Sequence, residues 1–294
     1  LAPTVNYREA YNWGSEFSIG YRTKIGSELN FNANMNFGYG NSIVTKIIYN
    51  PADLLVTDRS DGKWLGTKFG VDPRKYNSSN MGYRTSGMFR TQEQIDKFLA
   101  DNPNYTIAGN IPQPGWLIYE DTNGDGMVNQ NDIVPLFENN NPIFSSGITL
   151  GLGYKSFNLS TNFMARLGGR VFYDSQARNK ADNTRNVVSI WRDRWTPENP
   201  EEGKFPRTDD PLINVNSDFW AVNGTTVRVN NMTLSYKFPA QAISRLGFSN
   251  ARILLTGNNL WTIINPYGYK DPYSSNAYHY PITRTISVGL SANL

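Results

Sequence analysis

Cysteine is absent from the 294-residue sequence, and histidine occurs once, at His279. These absences exclude a disulfide framework, a thiolate zinc site, a cysteine nucleophile and any pair of histidines for metal or proton relay. Long apolar runs are also missing, with a mean hydropathy of −0.50, whereas a membrane-spanning helix needs ~20 apolar residues. The sequence contains no phosphate-binding loop, dinucleotide fingerprint or serine-nucleophile motif. We therefore predict that the protein is not an enzyme.

Charged side chains are scarce, at 18% of the residues against a usual ~25%. The net charge is only +3, and no run of basic residues could follow a phosphate backbone, so we expect no nucleic-acid partner. Aromatic residues reach 13%, and Asn, Ser, Thr and Gly take the place of the missing charges. This mixture suits a surface that faces lipid on one side and water on the other.

Apolar and polar residues alternate with a period of two, which is typical of β-strands. Phe31, Ala33 and Met35, for example, are interleaved with asparagines. The phase of the alternation slips by one residue at Asn230–Asn231, which predicts a β-bulge. The predicted strands cover about residues 12–23, 27–44, 145–154, 157–167, 225–238, 251–262 and 283–294.

The connections between these strands alternate between short and long. The long ones cover about residues 45–144, 168–223 and 263–282, and all of them fall at the same end of an antiparallel sheet. A soluble β-sandwich also alternates in hydrophobicity, but its turns recur every ~8–12 residues. Short turns at one end and long loops at the other are typical of transmembrane barrels. We therefore interpret the three long connections as extracellular loops.

The number of predicted strands is odd, whereas single-chain bacterial barrels have an even number of strands. An open sheet would also leave two unpaired edges in lipid. The sequence opens without an initiator methionine or a signal peptide. We therefore expect residues outside this chain to complete the barrel.

Several motifs resemble the C-terminal third of SusC/RagA-type TonB-dependent transporters from the outer membrane of Bacteroidetes. Their order and spacing cover nearly the whole chain, and their combination is far more specific than any single motif. The stretches that carry the resemblance are Asn12–Tyr21, Gly82–Phe89, Tyr119–Gly126, Arg194–Pro200, Val227–Tyr236, Gly257–Thr262 and Gly268–Pro272.

The resemblance implies an all-β fold in which residues 1–294 form the C-terminal part of a 22-stranded antiparallel transmembrane β-barrel. It also implies location in the cell outer membrane, in contact with lipid, and import of a large nutrient, either an oligosaccharide or a peptide. The expected partners are a SusD-like surface lipoprotein over the extracellular face and the TonB complex, which would act through an N-terminal part not present here.

One loop has the ligand spacing of an EF-hand-type calcium site. Side-chain oxygens alternate along it, and Gly126 permits the sharp turn. The alternative is an Asn/Asp/Gly turn held by bonds from side chains to the backbone. The predicted Ca²⁺ ion is structural, and its ligands are Asp121, Asn123, Asp125, Met127 through its carbonyl group, Asn129 and Asp132.

The long loops are rich in aromatic residues, which can stack on sugar rings or pack against peptides. The candidates for substrate contact are Trp64, Tyr83, Trp191, Tyr267 and Tyr269. The alternative is that such rings hold the loops together or meet the partner lipoprotein. Aromatic residues near the strand ends, among them Trp13 and Tyr154, are better explained as an interfacial girdle. Residues 92–99 predict a short helix that Thr91 caps.

Two other functions fit parts of the sequence. The first is a self-contained outer-membrane barrel that serves as an adhesin or structural protein, in which case a signal peptide would directly precede Leu1. The second is a soluble calcium-dependent carbohydrate-binding β protein, which would need no detergent for solubility.

Overall fold

A computed structural model describes residues 8–47, 80–138, 144–179 and 186–293. Its main element is a seven-stranded antiparallel sheet in which the strands follow one another in chain order. These strands lie where the alternation predicts them. They are β1 (Arg8–Ile25), β2 (Leu29–Ile47), β3 (Phe144–Tyr154), β4 (Phe157–Leu167), β5 (Thr226–Lys237), β6 (Asn250–Ile264) and β7 (Thr285–Asn293).

The strand register places apolar residues on one face of the sheet and polar residues on the other. Met35 pairs with Ile148, which in turn pairs with Phe163, while the adjacent row pairs Asn34 with Thr149. Side chains alternate between the faces, so a shift by one residue would reverse the pattern along the rest of a strand. A register irregularity between Val229 and Asn231 absorbs the predicted phase slip. This bulge keeps the apolar residues of β5 on one face.

The short connections are tight turns at one end of the sheet. The turn between β1 and β2 contains Gly26, which has a φ of 64°, and Lys155 has a φ of 52° in the turn between β3 and β4. Between β5 and β6, a helical turn (Ala240–Ile243) and a 3-10 turn (Ser244–Leu246) lead to Gly247. Each left-handed position lets the chain reverse within a few residues.

The long connections lie at the opposite end of the sheet and pack together into what we call the loop lobe. It comprises the described residues of 80–138, 168–225 and 265–284. Its longest helix, α1 (Gln92–Asp101), is capped by Thr91, whose Oγ1 accepts a bond of 3.3 Å from the Gln94 N–H. Ile95 on α1 is fully buried, which confirms the predicted packed helix.

The other regular elements of the loop lobe are short. Its helical turns are Gln130–Asp132, Ser175–Arg178, Ser189–Asp193 and Asp218–Trp220. Its strands are Met81–Gly82, Thr85–Met88, Thr106–Ile107, Leu117–Tyr119, Met127–Val128, Val134–Pro135, Arg170–Phe172 and Ala221–Asn223. In the part of the chain that the structure describes, every helix is too short or too polar to cross a membrane.

Candidate functional site

The apolar face of the sheet is open to its surroundings. On β7, Ile286, Val288 and Leu290 are 67%, 72% and 74% exposed, and Phe17 on β1 is 59% exposed. Continuous apolar patches of this kind are rare on soluble monomers and mark contact with a membrane or a partner. The face extends over all seven strands, so the surface is a wall and not a local patch.

Aromatic side chains form a row near each end of this apolar face. Toward the long loops, the Tyr39 ring lies 5.2 Å from the rings of both Trp13 and Phe144, measured between centroids. Toward the short turns, Phe157 and Tyr236 are 4.8 Å apart, and Tyr154 is the cross-strand partner of Phe157. The predicted girdle residues therefore fall into two separate rows.

The separation of the rows matches the thickness of a bilayer. Strand β3 has 11 residues and runs from Phe144 in one row to Tyr154 in the other. At about 3.3 Å per residue it is roughly 33 Å long. A tilt of about 40° reduces its height to ~25 Å, the height of the apolar band in outer-membrane barrels.

The opposite face of the sheet carries a hydrogen-bonded layer of small polar side chains. Ser18 Oγ donates to Asn36 Oδ1 at 2.8 Å, and Asn231 Nδ2 donates to Asn258 Oδ1 at 2.7 Å. These groups are satisfied in water and would be costly in lipid. This face is therefore the hydrated one, so the sheet has one face suited to lipid and one face suited to water.

The first core of the loop lobe surrounds a buried carboxylate. Asp210 is 2% exposed, and it accepts bonds from the Leu117 N–H at 3.0 Å, the Leu212 N–H at 2.9 Å and the Tyr119 hydroxyl at 3.0 Å. Burial raises the pKa of Asp210 to about 6, although these hydrogen bonds oppose the rise. Burial together with the charge of Asp210 also raises the pKa of Tyr119. The carboxylate thereby joins two long loops that are distant in sequence.

The second core is built around two tryptophans. Trp220 is 1% exposed and Trp191 is 3% exposed, and the Trp191 indole N–H donates to the carbonyl of Ala177 at 2.8 Å. Arg178 packs over the Trp220 ring, 5.7 Å from its centroid. Burial lowers the pKa of Arg178 to about 10. All four residues tie separate segments of one long loop together.

The predicted substrate-contact residues are placed in three different ways. Trp64 lies outside the described residues. Tyr83 is 2% exposed in the first core of the loop lobe, and Trp191 is 3% exposed in the second. These two rings, Tyr83 and Trp191, have no free face for a cargo molecule, because loop packing uses both. Tyr267 and Tyr269 are partly exposed.

Tyr267 and Tyr269 belong to a polar aromatic cluster. Lys270 Nζ lies 4.4 Å from the centroid of the Tyr267 ring and 2.8 Å from Asp174 Oδ1. The Tyr269 hydroxyl accepts a bond of 2.8 Å from the Asp174 N–H. Burial and the nearby Asp174 carboxylate raise the pKa of Tyr267 to about 12. Of the five predicted contact residues, only this described pair retains accessible surface beside a charged group.

The predicted calcium loop is folded by its own hydrogen bonds. Asp121 accepts bonds from the Gly124 and Gly126 N–H groups at 2.8 and 2.7 Å. The Asp132 carboxylate is fully buried and accepts bonds of 2.9 and 2.8 Å from the N–H groups of Thr122 and Asn129. This is the turn that the sequence offered as the alternative to a metal site.

The other predicted ligands make similar bonds. Asn123 Oδ1 accepts from the Asp125 N–H at 2.9 Å, Asp125 Oδ1 from the Met127 N–H at 2.8 Å, and Asn129 Oδ1 from the Asn131 N–H at 2.9 Å. Within the described ranges, no three acidic or histidine side chains form a group that could hold a metal ion. The predicted ligands also include amide and carbonyl oxygens, which such a group does not count, so the predicted calcium site stays a prediction.

A polar cluster on the hydrated face was missed by sequence reasoning. Arg166 on β4 and Arg228 on β5 both lie over the Tyr273 ring, with their guanidinium carbons 5.1 and 5.2 Å from its centroid. Arg228 forms an ion pair with Asp271 at 3.4 Å. The only signal in the sequence is an arginine at a polar position of each strand.

Known proteins that resemble this chain are receptors and transporters. TonB-dependent receptor P26 of Formosa agariphila is 28% identical over 228 residues, which are 71% of this chain and 22% of that receptor. TonB-dependent receptor SusC of Bacteroides thetaiotaomicron is 22% identical over 303 residues, which are 98% of this chain and 27% of SusC. The chain therefore spans about a quarter of the length of these relatives. No protein-family model matches it.

Solved structures show the same fold. The structure of the RagAB peptide transporter superimposes with a TM-score of 0.66 at 17% identity, covering 98% of this chain and 30% of that one. The fold and the two-faced sheet define the chain as part of the wall of an antiparallel transmembrane β-barrel. In sequence and in fold, the chain resembles the barrel portion of SusC/RagA-type TonB-dependent transporters.

Proposed function

We propose that the whole protein imports a large nutrient, an oligosaccharide or a peptide, across the outer membrane. The observation that carries the proposal is the sheet with one apolar face, bounded by two aromatic rows about 25 Å apart, and one hydrated face. Such a wall separates lipid from an aqueous lumen. The named relatives support the proposal because they are TonB-dependent receptors and a peptide transporter.

The proposal includes two partners. A SusD-like surface lipoprotein would cover the extracellular end, where the loop lobe forms a packed platform instead of separate mobile loops. Two cores support this platform, so it can present a preorganised surface to a partner. The TonB complex would act through residues outside this chain, and none of the residues described above is assigned to energy coupling.

Nutrient uptake tests the proposed function directly. The full-length gene would be deleted from its host and restored on a plasmid, and the depletion of defined oligosaccharides and peptides from the medium would be measured by mass spectrometry. We expect uptake of at least one class to be lost on deletion, restored by the plasmid and abolished by removal of TonB. Unchanged uptake combined with a loss of surface attachment would instead support the adhesin.

Purification from outer membranes tests the partner. In mild detergent, we expect the tagged full-length transporter to co-purify with a SusD-like lipoprotein in a fixed ratio. A transporter that remains active in uptake but is isolated alone, at every detergent concentration, would contradict this part of the proposal. Recovery of the protein from the soluble fraction without detergent would contradict the membrane assignment altogether.

A further inference from the structure

The hydrated face of the sheet carries an open cavity that none of the roles above uses. It has a volume of about 650 Å³ and lies across β1 to β4, toward the long loops. We call it the β1–β4 trough. The residues that matter for its chemistry are Glu16, Gly38, Ser145, Gly147, Arg166 and Tyr273.

The floor of the trough consists of glycines and small polar residues together with one larger side chain, Met164. One row of cross-strand partners runs from Glu16 to Gly38, then to Ser145 and finally to Arg166. In the next row, Gly147 offers no side chain and lies between Asn36 and Met164. Exposed backbone between two charged side chains leaves room for an extended chain to lie across the strands.

The positive end of the trough is a built site. Arg228 is only 5% exposed, and its charge is neutralised by Asp271 at 3.4 Å. The Tyr273 ring contacts both Arg228 and Arg166, and its cation–π contact holds the exposed Arg166 guanidinium in place. Arg166 lines the cavity, and among the described residues it has no carboxylate partner for its N–H donors.

The negative end is the Glu16 carboxylate. Glu16 is exposed, and it makes neither an ion pair nor a side-chain hydrogen bond with any of the residues that the structure describes. Three strand spacings separate Glu16 from Arg166, which corresponds to about 14 Å at ~4.8 Å per spacing. Two opposite charges therefore face one cavity from backbone positions that lie three strands apart.

We propose that the β1–β4 trough binds a short linear peptide with free ends, whose ammonium group meets Glu16 and whose carboxylate meets Arg166. This inference rests on the proposed import function and names its substrate class. An extended residue spans about 3.3–3.6 Å, so about four residues bridge the two ends. A neutral oligosaccharide has no charges for this pair, and an acidic glycan would be repelled by Glu16.

Calorimetric titration of the intact, detergent-solubilised transporter tests the proposal. The probes are tetra-alanine with free ends, its N-acetylated form, its C-terminally amidated form and maltotetraose. We expect each blocked end to weaken binding about tenfold, as loss of one charge-assisted contact implies. We expect longer or shorter alanine peptides to bind more weakly, and maltotetraose not to bind in the trough.

Two substitutions test which residue binds each end of the peptide. Glu16→Gln removes the penalty for N-acetylation but keeps the penalty for amidation, and Arg166→Gln does the reverse. Arg22→Gln is the matched control, because Arg22 lies on the same face of β1 but outside the cavity. All variants must show wild-type heat-modifiability on gels, which excludes misassembly.

Each contrary result has a distinct meaning. Equal binding of free and blocked peptides to the wild type would overturn the proposal, and so would end preferences that survive both substitutions. Binding and uptake of maltotetraose alone would overturn it while leaving import intact. Failure of the proposed import function would appear separately, as nutrient depletion that deletion of the gene leaves unchanged.

Discussion

The sheet and the loop lobe arrange their apolar residues in opposite ways. In the sheet, large apolar side chains such as Phe17 and Val288 are 59% and 72% exposed, whereas in the loop lobe Phe89 and Ile95 are fully buried. The same residue types thus face outward in one region and inward in the other. The difference shows that the two regions are built for different solvents, because the loop lobe must hide its apolar surface from water and the sheet must present it to lipid.

Truncation of a tryptophan in each region should give the largest contrast. Trp220→Ala leaves a cavity in the second core of the loop lobe, and we expect a loss of about 4 kcal/mol in the stability of that lobe. Trp261→Ala on the apolar face, where Trp261 is 51% exposed, should cost far less because lipid fills the space. Hydrogen exchange of the purified transporter measures the loss of stability in both variants. Equal losses would contradict the difference between the loop lobe and the sheet.

The apolar face of the sheet, which should tolerate the truncation of a side chain, should be sensitive to an introduced charge. Ile148 lies on the apolar face of β3 between the two aromatic rows, and its neighbour Thr149 lies on the hydrated face. We expect Ile148→Arg to destabilise the barrel by about 3 kcal/mol, the cost of arginine at the bilayer midplane. Thr149→Arg is the control and should assemble normally. Yields of folded barrel in the outer membrane distinguish the two, and similar yields would refute a lipid-facing surface.

The stability of the loop lobe should depend on pH through the buried carboxyl group of Asp210. Burial raises the pKa of Asp210 to about 6 from an ordinary value of 3.8. Between these values the folded lobe binds more protons than the unfolded chain, so its stability falls as the pH rises from about 4 to about 6 and is constant above that. Two pH units correspond to about 3 kcal/mol at most.

Hydrogen exchange of the amides of Leu117 and Leu212 at several pH values, corrected for intrinsic exchange rates, measures this dependence. Asp210→Asn removes the titrating group and should flatten the profile, while Asp209→Asn, next to it in the chain but exposed, should keep the profile and shift it only slightly to lower pH, because the Asp209 charge is the smallest of the causes that set the Asp210 pKa. A profile that persists in Asp210→Asn would assign the effect to another group.

Calcium should have the smallest of these effects on the stability of the loop lobe. If the predicted site binds Ca²⁺, the ion should stabilise the lobe by up to about 2.7 kcal/mol at a hundredfold excess over Kd. Thermal unfolding with calcium and with a chelator tests this, and Asp121→Ala should abolish the difference. An unchanged melting temperature in the wild type would mean that the hydrogen bonds of Asp121 and Asp132 suffice.

The sheet could be predicted from the sequence almost strand by strand, whereas the site could not. Alternation is a local signal, and the slip at Asn230–Asn231 even located the bulge in β5. Substrate contact was predicted for Tyr83 and Trp191, but their burial depends on which loops pack together. The placement of Glu16 and Arg166 at opposite ends of one cavity was equally invisible, because it depends on the register of three strand pairs.

The sequence by itself determined which side of each strand faces lipid and where the long loops lie. It could do so because successive side chains of a strand point to opposite faces. The position of a residue in the strand therefore decides whether its side chain faces lipid or water. Only the tertiary structure decided which loop aromatics became core, which carboxylate was buried and which charges share one cavity. These outcomes depend on contacts between segments that are distant in sequence, such as Asp210 with Leu117 and Tyr119, and no local pattern records them.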